Sequence, residues 1–97
     1  MADNKYQRVD KELISAYITS KRKEHPGMTD KYFDDIDRVL NAAYNRAFDK
    51  TDNENLIDYW YVNWYFGQRT YNSKDHKVKD FFSKTWNGLD QLIKIQN

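Results

Sequence analysis

The residues best equipped for chemistry in this 97-residue chain are three acids in one segment, Asp34, Asp35 and Asp37, and two histidines, His25 and His76. Clustered carboxylates are hard oxygen ligands suited to magnesium or calcium. Here Asp34 and Asp37 share a helical face while Asp35 points elsewhere, and neither the glycine of a calcium loop nor a phosphate-binding loop accompanies them. The segment reads as a solvated acidic face. Each histidine lies beside charged or turn residues in a separate part of the chain. A zinc pair would need further ligands brought in by the fold, and a catalytic histidine would need a nucleophile and an orienting acid around it. Ser73 and His76 are one helical turn apart, a spacing that helix capping already explains. The absence of cysteine removes disulfides, thiolate nucleophiles and cysteine-based zinc sites together. No catalytic residue, metal site or cofactor is expected, and the chain reads as a binding protein rather than an enzyme.

Charge and hydropathy narrow the partners. Lys and Arg total 16 against 15 Asp and Glu, and a net charge of +1 gives little general attraction to nucleic acid or anionic membrane. Lys21, Arg22 and Lys23 suit the negative end of a helix dipole. With Lys74, Lys77, Lys79 and Lys84 they could form a phosphate-contacting stripe, but no recognition helix with a glycine turn stands out, and nucleic acid is not the expected partner. The N-terminal stretch is polar, and the longest apolar run, Tyr59 to Phe66, falls short of the roughly 20 residues a spanning helix needs. A cytoplasmic protein without a transmembrane segment is the expectation. Aromatics reach 16% of residues, and the segment from Leu56 to Phe66 is aromatic or apolar on nearly every face. A bundle buries about half of a helix surface, so some of Tyr59, Tyr61, Trp64 and Tyr65 should remain outside, where Tyr and Trp suit a protein interface or the water boundary of a membrane. Peripheral membrane association is compatible with that face.

The elements that position these residues are helical. Tyr6, Val9, Leu13, Ile14, Tyr17 and Ile18 recur at three- and four-residue intervals, predicting a first helix over about residues 4–23, ended by His25-Pro26-Gly27. Thr29 or Asp30 can cap a second, about 30–49, whose stripe is Phe33, Ile36, Leu40, Ala43, Tyr44 and Ala47, widened by Val39 and Phe48. Thr51-Asp52-Asn53-Glu54 offers a capping box for a third, about 53–67. Strand competes there, because aromatics and Val favour pleated sheet, but no second strand-like run is present to pair with it. A turn over 67–72 and a Ser73 cap lead to a fourth helix, about 74–94, with Val78, Phe81, Phe82, Trp86, Leu89, Leu92 and Ile93 on its stripe and Gly88 where two helices approach closely. Short connections favour one all-α domain over residues 1–97, an antiparallel up-down-up-down four-helix bundle.

Two segments together resemble the enterocin A immunity family, the immunity proteins that accompany pediocin-like (class IIa) bacteriocins of lactic acid bacteria. Asp35-Ile36, Val39-Leu40 and Tyr44 look like the family's Asp-Ile, Val-Leu, Tyr series at the same offsets. Leu56-Ile57, Val62-Asn63 and Tyr65-Phe66 are similar to its Leu-Ile, Val-Asn, Tyr-Phe run, with Val62-Asn63 one position late. The fourth helix aligns only as an amphipathic pattern. The resemblance implies a cytoplasmic four-helix bundle that protects a bacteriocin producer by binding the bacteriocin-bound mannose phosphotransferase permease from inside. Family members usually carry a C-terminal extension that contributes to specificity, whereas this sequence ends at Asn97. The specificity surface is then expected at the end of the fourth helix, at Trp86, Asn87, Lys94, Gln96 and Asn97, or at the junction of helices three and four, at Arg69 and Tyr71. Two other functions fit the composition: a phage or mobile-element inhibitor gripping a host or defence protein through the aromatic face, and a small nucleic-acid-binding regulator.

Overall fold

Asp58 organises the chain around one buried carboxylate. The computed structural model describes residues 5–28 and 30–95. Over these residues the chain forms β1 (Tyr6–Arg8), α1 (Lys11–Glu24), α2 (Asp30–Thr51), β2 (Leu56–Asp58), α3 (Tyr59–Asn72) and α4 (His76–Ile95). The two strands pair antiparallel with Tyr6 opposite Asp58, Gln7 opposite Ile57 and Arg8 opposite Leu56. Val9 N–H to the Asn55 carbonyl and Tyr59 N–H to the Lys5 carbonyl, both 2.8 Å, extend the pairing at each end. The mostly helical class is as expected, and the two-stranded sheet is an addition.

Asp58 ends β2 and begins α3. Its side chain is 1% exposed, accepts from the Tyr61 backbone N–H at 3.1 Å and so caps α3. Arg46 of α2 donates to it through Nε at 3.2 Å, and Lys5 Nζ lies 3.8 Å away. A buried carboxylate is tolerated only when its oxygens are so occupied. One residue thus ties the segment before β1, the middle of α2 and the start of α3.

Several expected boundaries are corrected by this arrangement. The first helix does not start near residue 4: Asp10, in an extended conformation, caps α1 by accepting from Glu12 and Leu13 N–H, which leaves residues 6–8 free to pair as strand. Three residues are too few to distinguish a period of 2 from one of 3.6. Thr51 starts no third helix. It is the last residue of α2, where its hydroxyl donates to the Ala47 carbonyl at 2.7 Å, and the following Asp52 takes the left-handed conformation (φ 59°) that ends many helices. The expected turn over 67–72 is helix, since α3 continues to Asn72. Ser73 closes α3 by donating to the Arg69 carbonyl, and Asp75 instead accepts from Lys77 N–H at the start of α4. Thr29, named as a cap, lies outside the described residues. Tyr59 to Phe66 is helical, as expected.

The core is an aromatic cluster shared by three helices. Phe81 and Phe82 of α4 meet edge to face at 5.2 Å, Phe33 of α2 packs on Phe81 at 5.2 Å, and Phe66 of α3 reaches Phe82 at 6.0 Å. Such geometry sets positive ring edges on negative faces. Ile14, Ile18, Ile36, Leu40, Ile57, Val62, Leu89 and Ile93 complete it. Leu13 and Phe48, expected on buried stripes, are each 41% exposed. Gly88 does mark a close approach. Tyr17 of α1 lies across it and donates its hydroxyl to the Thr85 carbonyl at 3.1 Å; a β-carbon on Gly88 would overlap that hydroxyl and sit 2.7 Å from Cζ.

Two outcomes follow for stability. Asp58→Ala removes a helix cap and the partner of a half-exposed Arg46, and is expected to destabilise by about 2–3 kcal/mol in urea unfolding, with Asp58→Asn losing less because the amide oxygen still caps. Gly88→Ala gains helix propensity but displaces Tyr17. It should lose about 1–2 kcal/mol net, and cost little when introduced into a Tyr17→Ala background.

Candidate functional site

Seven of the fourteen residues of α3 are aromatic, more than the core can accept. Tyr65, Phe66 and Val62 turn inward. Trp60 (59% exposed), Trp64 (49%) and Tyr71 (75%) are left outside. At 100° per residue, positions 60, 64 and 71 fall within one narrow stripe, so the three form a single ridge along the helix. Trp86 of α4 sits at its margin, half-buried, near Gly67 and fixed by its indole N–H donating to Asn63 Oδ1 at 2.8 Å.

The ridge is held from one side. The Trp64 indole stacks on Tyr61 at 6.0 Å and 18°, and the Arg46 guanidinium lies 4.9 Å from the centre of the other ring in that stack, Tyr61. Arg46 is in turn the hydrogen-bond donor to Asp58. The orientation of Trp64 is therefore linked through two stacked groups to the buried carboxylate, a cation–π contact adding to an ordinary ring stack.

Beside the ridge, between the last turns of α3 and the start of α4, is an open cleft of about 480 Å³. Trp64, Tyr32 and Val78 give it apolar walls, and Gln68, Arg69, Asn72, Ser73, Lys74 and Asp75 its polar rim. Trp64 belongs to both ridge and cleft. Arg69 bonds Asp35 (3.6 Å), which also pairs with Arg38 (3.0 Å), so one carboxylate is shared by two guanidinium groups. Tyr65 lines the cleft with the Arg69 guanidinium over its ring at 5.6 Å. Its hydroxyl is buried without a hydrogen-bond partner of good geometry, and burial raises its pKa above the usual phenol value, an effect that neighbouring Arg69 opposes only in part.

The sequence candidates separate in the structure. Arg69 is in the cleft, Tyr71 on the ridge and Trp86 at its margin. Asn87 is exposed on α4, and Lys94 pairs with Asp90 at 3.1 Å near the far end of that helix, roughly 27 Å along the axis from His76 at 1.5 Å per residue. Gln96 and Asn97 lie outside the described residues. Of the two residues expected at the junction, Arg69 lines the cleft and Tyr71 stands on the ridge, nearly opposite it around α3; Trp64, one of the aromatics expected to stay outside, belongs to both surfaces, and Trp60, Gln68 and Lys74 are further residues of them. The acids also divide. Asp34, Asp37 and Asp30 converge on Arg22 of α1, within 3.4–3.8 Å, while Asp35 turns to Arg38 and Arg69. Among the described residues no group of three or more potential ligands could hold a metal ion, and no helix is long and apolar enough to cross a membrane.

Compared with known protein families, characterised proteins and solved structures, the chain matches none.

The phenols give a measurable pH signature. Burial, aided by Glu24 for Tyr17 and by Asp37 for Tyr44, pushes both up to about 12, and burial also raises Tyr65. The fold holds these protons more tightly than the unfolded chain, so their contribution to stability is full below about pH 10 and is lost as pH climbs towards 12. Tyrosinate absorbance should show a late-titrating fraction, and urea midpoints should fall across that window, less steeply in Tyr17→Phe.

Proposed function

We infer that this chain acts by binding another protein, through the aromatic ridge of α3, and that the role is bacteriocin immunity. The observation that carries the binding reading is the exposure of Trp60, Trp64 and Tyr71 on one stripe of a helix whose other aromatics already fill the core. Large rigid aromatics exposed in a contiguous row are the residues that anchor protein interfaces, and scattered exposure would not call for explanation. The immunity role comes from the resemblance of Asp35-Ile36, Val39-Leu40, Tyr44 and the Leu56 to Phe66 run to the enterocin A immunity family. In this reading the four helices follow an antiparallel up-down-up-down course. The chain works without catalysis on the cytoplasmic side, where it engages the mannose phosphotransferase permease that carries the bacteriocin.

Expression in a sensitive lactic acid bacterium tests it. Tolerance to one or a few pediocin-like peptides should rise, and Trp60→Ala with Trp64→Ala should abolish the gain while the protein remains folded by circular dichroism. An unchanged response across a panel of such peptides removes the immunity role. Capture of a soluble host nuclease or polymerase in place of permease subunits would favour the phage or mobile-element inhibitor.

A further inference from the structure

We propose that the cleft between α3 and α4 seats a carboxylate of an acidic peptide segment whose apolar neighbour lies on Trp64. The proposal deepens the reading of α3 as a partner-binding face, and rests on it, by stating the chemistry of the partner.

Three features of the cleft select an anion. One acceptor is already spent: Gln68 Oε1 accepts from Asn72 Nδ2 at 2.8 Å, while the Gln68 amide N–H groups keep their capacity to donate. The charges are also unequal. Arg69 and Lys74 outnumber the one carboxylate in the lining, Asp75, which accepts from the Lys77 N–H; Arg69 shares Asp35 with Arg38, and among the described residues Lys74 makes no ion pair. Beneath them the Tyr65 hydroxyl is buried without a hydrogen-bond partner of good geometry, on a residue only 8% exposed. A carboxylate entering beside Arg69 would add charge-assisted bonds to a site whose cations outnumber its one lining carboxylate.

The shape selects a chain over a small molecule. A volume of about 480 Å³ is ample for one acidic side chain, and Trp64, a wall of this open cleft, also belongs to the exposed ridge. A ligand fixed there by its carboxylate can run on across Trp64 towards Trp60, which an isolated anion cannot use. The indole surface is already oriented by the Arg46–Tyr61–Trp64 stack, which lowers the ordering cost of docking.

The test is an NMR titration of the 15N-labelled chain with an acetylated, amidated Glu-Leu-Glu tripeptide, run beside Gln-Leu-Gln, inorganic phosphate and a thymidine hexanucleotide. The acidic peptide should produce saturable shifts at the Trp64 indole and the Gln68 and Asn72 carboxamides, with affinity about tenfold above that of the glutamine peptide. Lys74→Gln, which breaks no ion pair, and Arg69→Gln should each remove most of that difference. Equal affinity for the two tripeptides, stronger binding of phosphate or the oligonucleotide, or no saturable shift at these groups overturns the proposal. Protection that survives in Lys74→Gln alongside failed peptide binding sinks this inference alone; tripeptide binding without any protection sinks the immunity role alone.

Discussion

The buried carboxylate of Asp58 is the interaction on which the other arrangements hang. It receives a backbone N–H from its own helix, a guanidinium N–H from α2 and the nearby ammonium of Lys5, all at 1% exposure. Burying a charge is unfavourable unless its oxygens are bonded, so the fold must deliver these partners together or not at all. That condition fixes the pairing of β1 with β2, because Tyr6 opposes Asp58 directly. It also fixes where α3 begins, and with that which residues of α3 face in. A start at residue 53 would have the same sequence enter the helix with a different angular phase and no buried cap.

From that anchor the aromatic residues sort themselves. Counting from Tyr59, the inward positions of α3 go to Val62, Tyr65 and Phe66, which meet the Phe33, Phe81 and Phe82 rings contributed by α2 and α4. The cluster is closed by edge-to-face contacts at 5.2–6.1 Å, and little room remains for another large ring. Trp60, Trp64 and Tyr71 are outside because the core is full and their phase is wrong. Arg46 then serves twice, as donor to Asp58 and as the flat cation under Tyr61, a pairing of roles that lysine could not reproduce.

How far the sequence is legible depends on the length of the pattern. The stripes of α2 and α4 run for five turns or more, and their buried residues, Phe33, Ile36, Leu40, Ala43, Ala47, Phe81, Phe82, Leu89 and Ile93, are those that periodicity picks out. Gly88 was legible for a related reason, since a glycine on a buried face implies a neighbour pressed against it. The strands were not legible, because three residues carry no period and the partner of Tyr6–Arg8 is about fifty residues away. The caps were misassigned where two local solutions compete: Thr51-x-x-Glu54 has the form of a start signal, yet the Thr51 hydroxyl serves α2, and Asp58, which lacks the box pattern, takes the role through a long-range charge contact. For the candidate site, Trp64 was among the aromatics expected to stay outside and is half-exposed, whereas Trp60 was hidden among residues that all look like core. Only the helical phase set by Asp58 separates them.

An exposed row of indoles on a small domain favours self-association and adds nothing to the fold. Folding alone gives no reason for it: polar residues at positions 60, 64 and 71 would leave every buried contact of α3 in place, since the inward face uses other positions. The Arg46–Tyr61–Trp64 stack strengthens that argument, because a side chain that is merely tolerated on a surface has no need of an oriented support. The neighbouring cleft points the same way. Arg38 and Arg69 share a single Asp35, and among the described residues Lys74 makes no ion pair, with Asp75 the one carboxylate in the cleft lining. After Asp58 the helix carries no acid through Asn72. A hydrophobic ridge bordered by positive donors is complementary to an apolar segment carrying negative charge, the partner chemistry we propose for it.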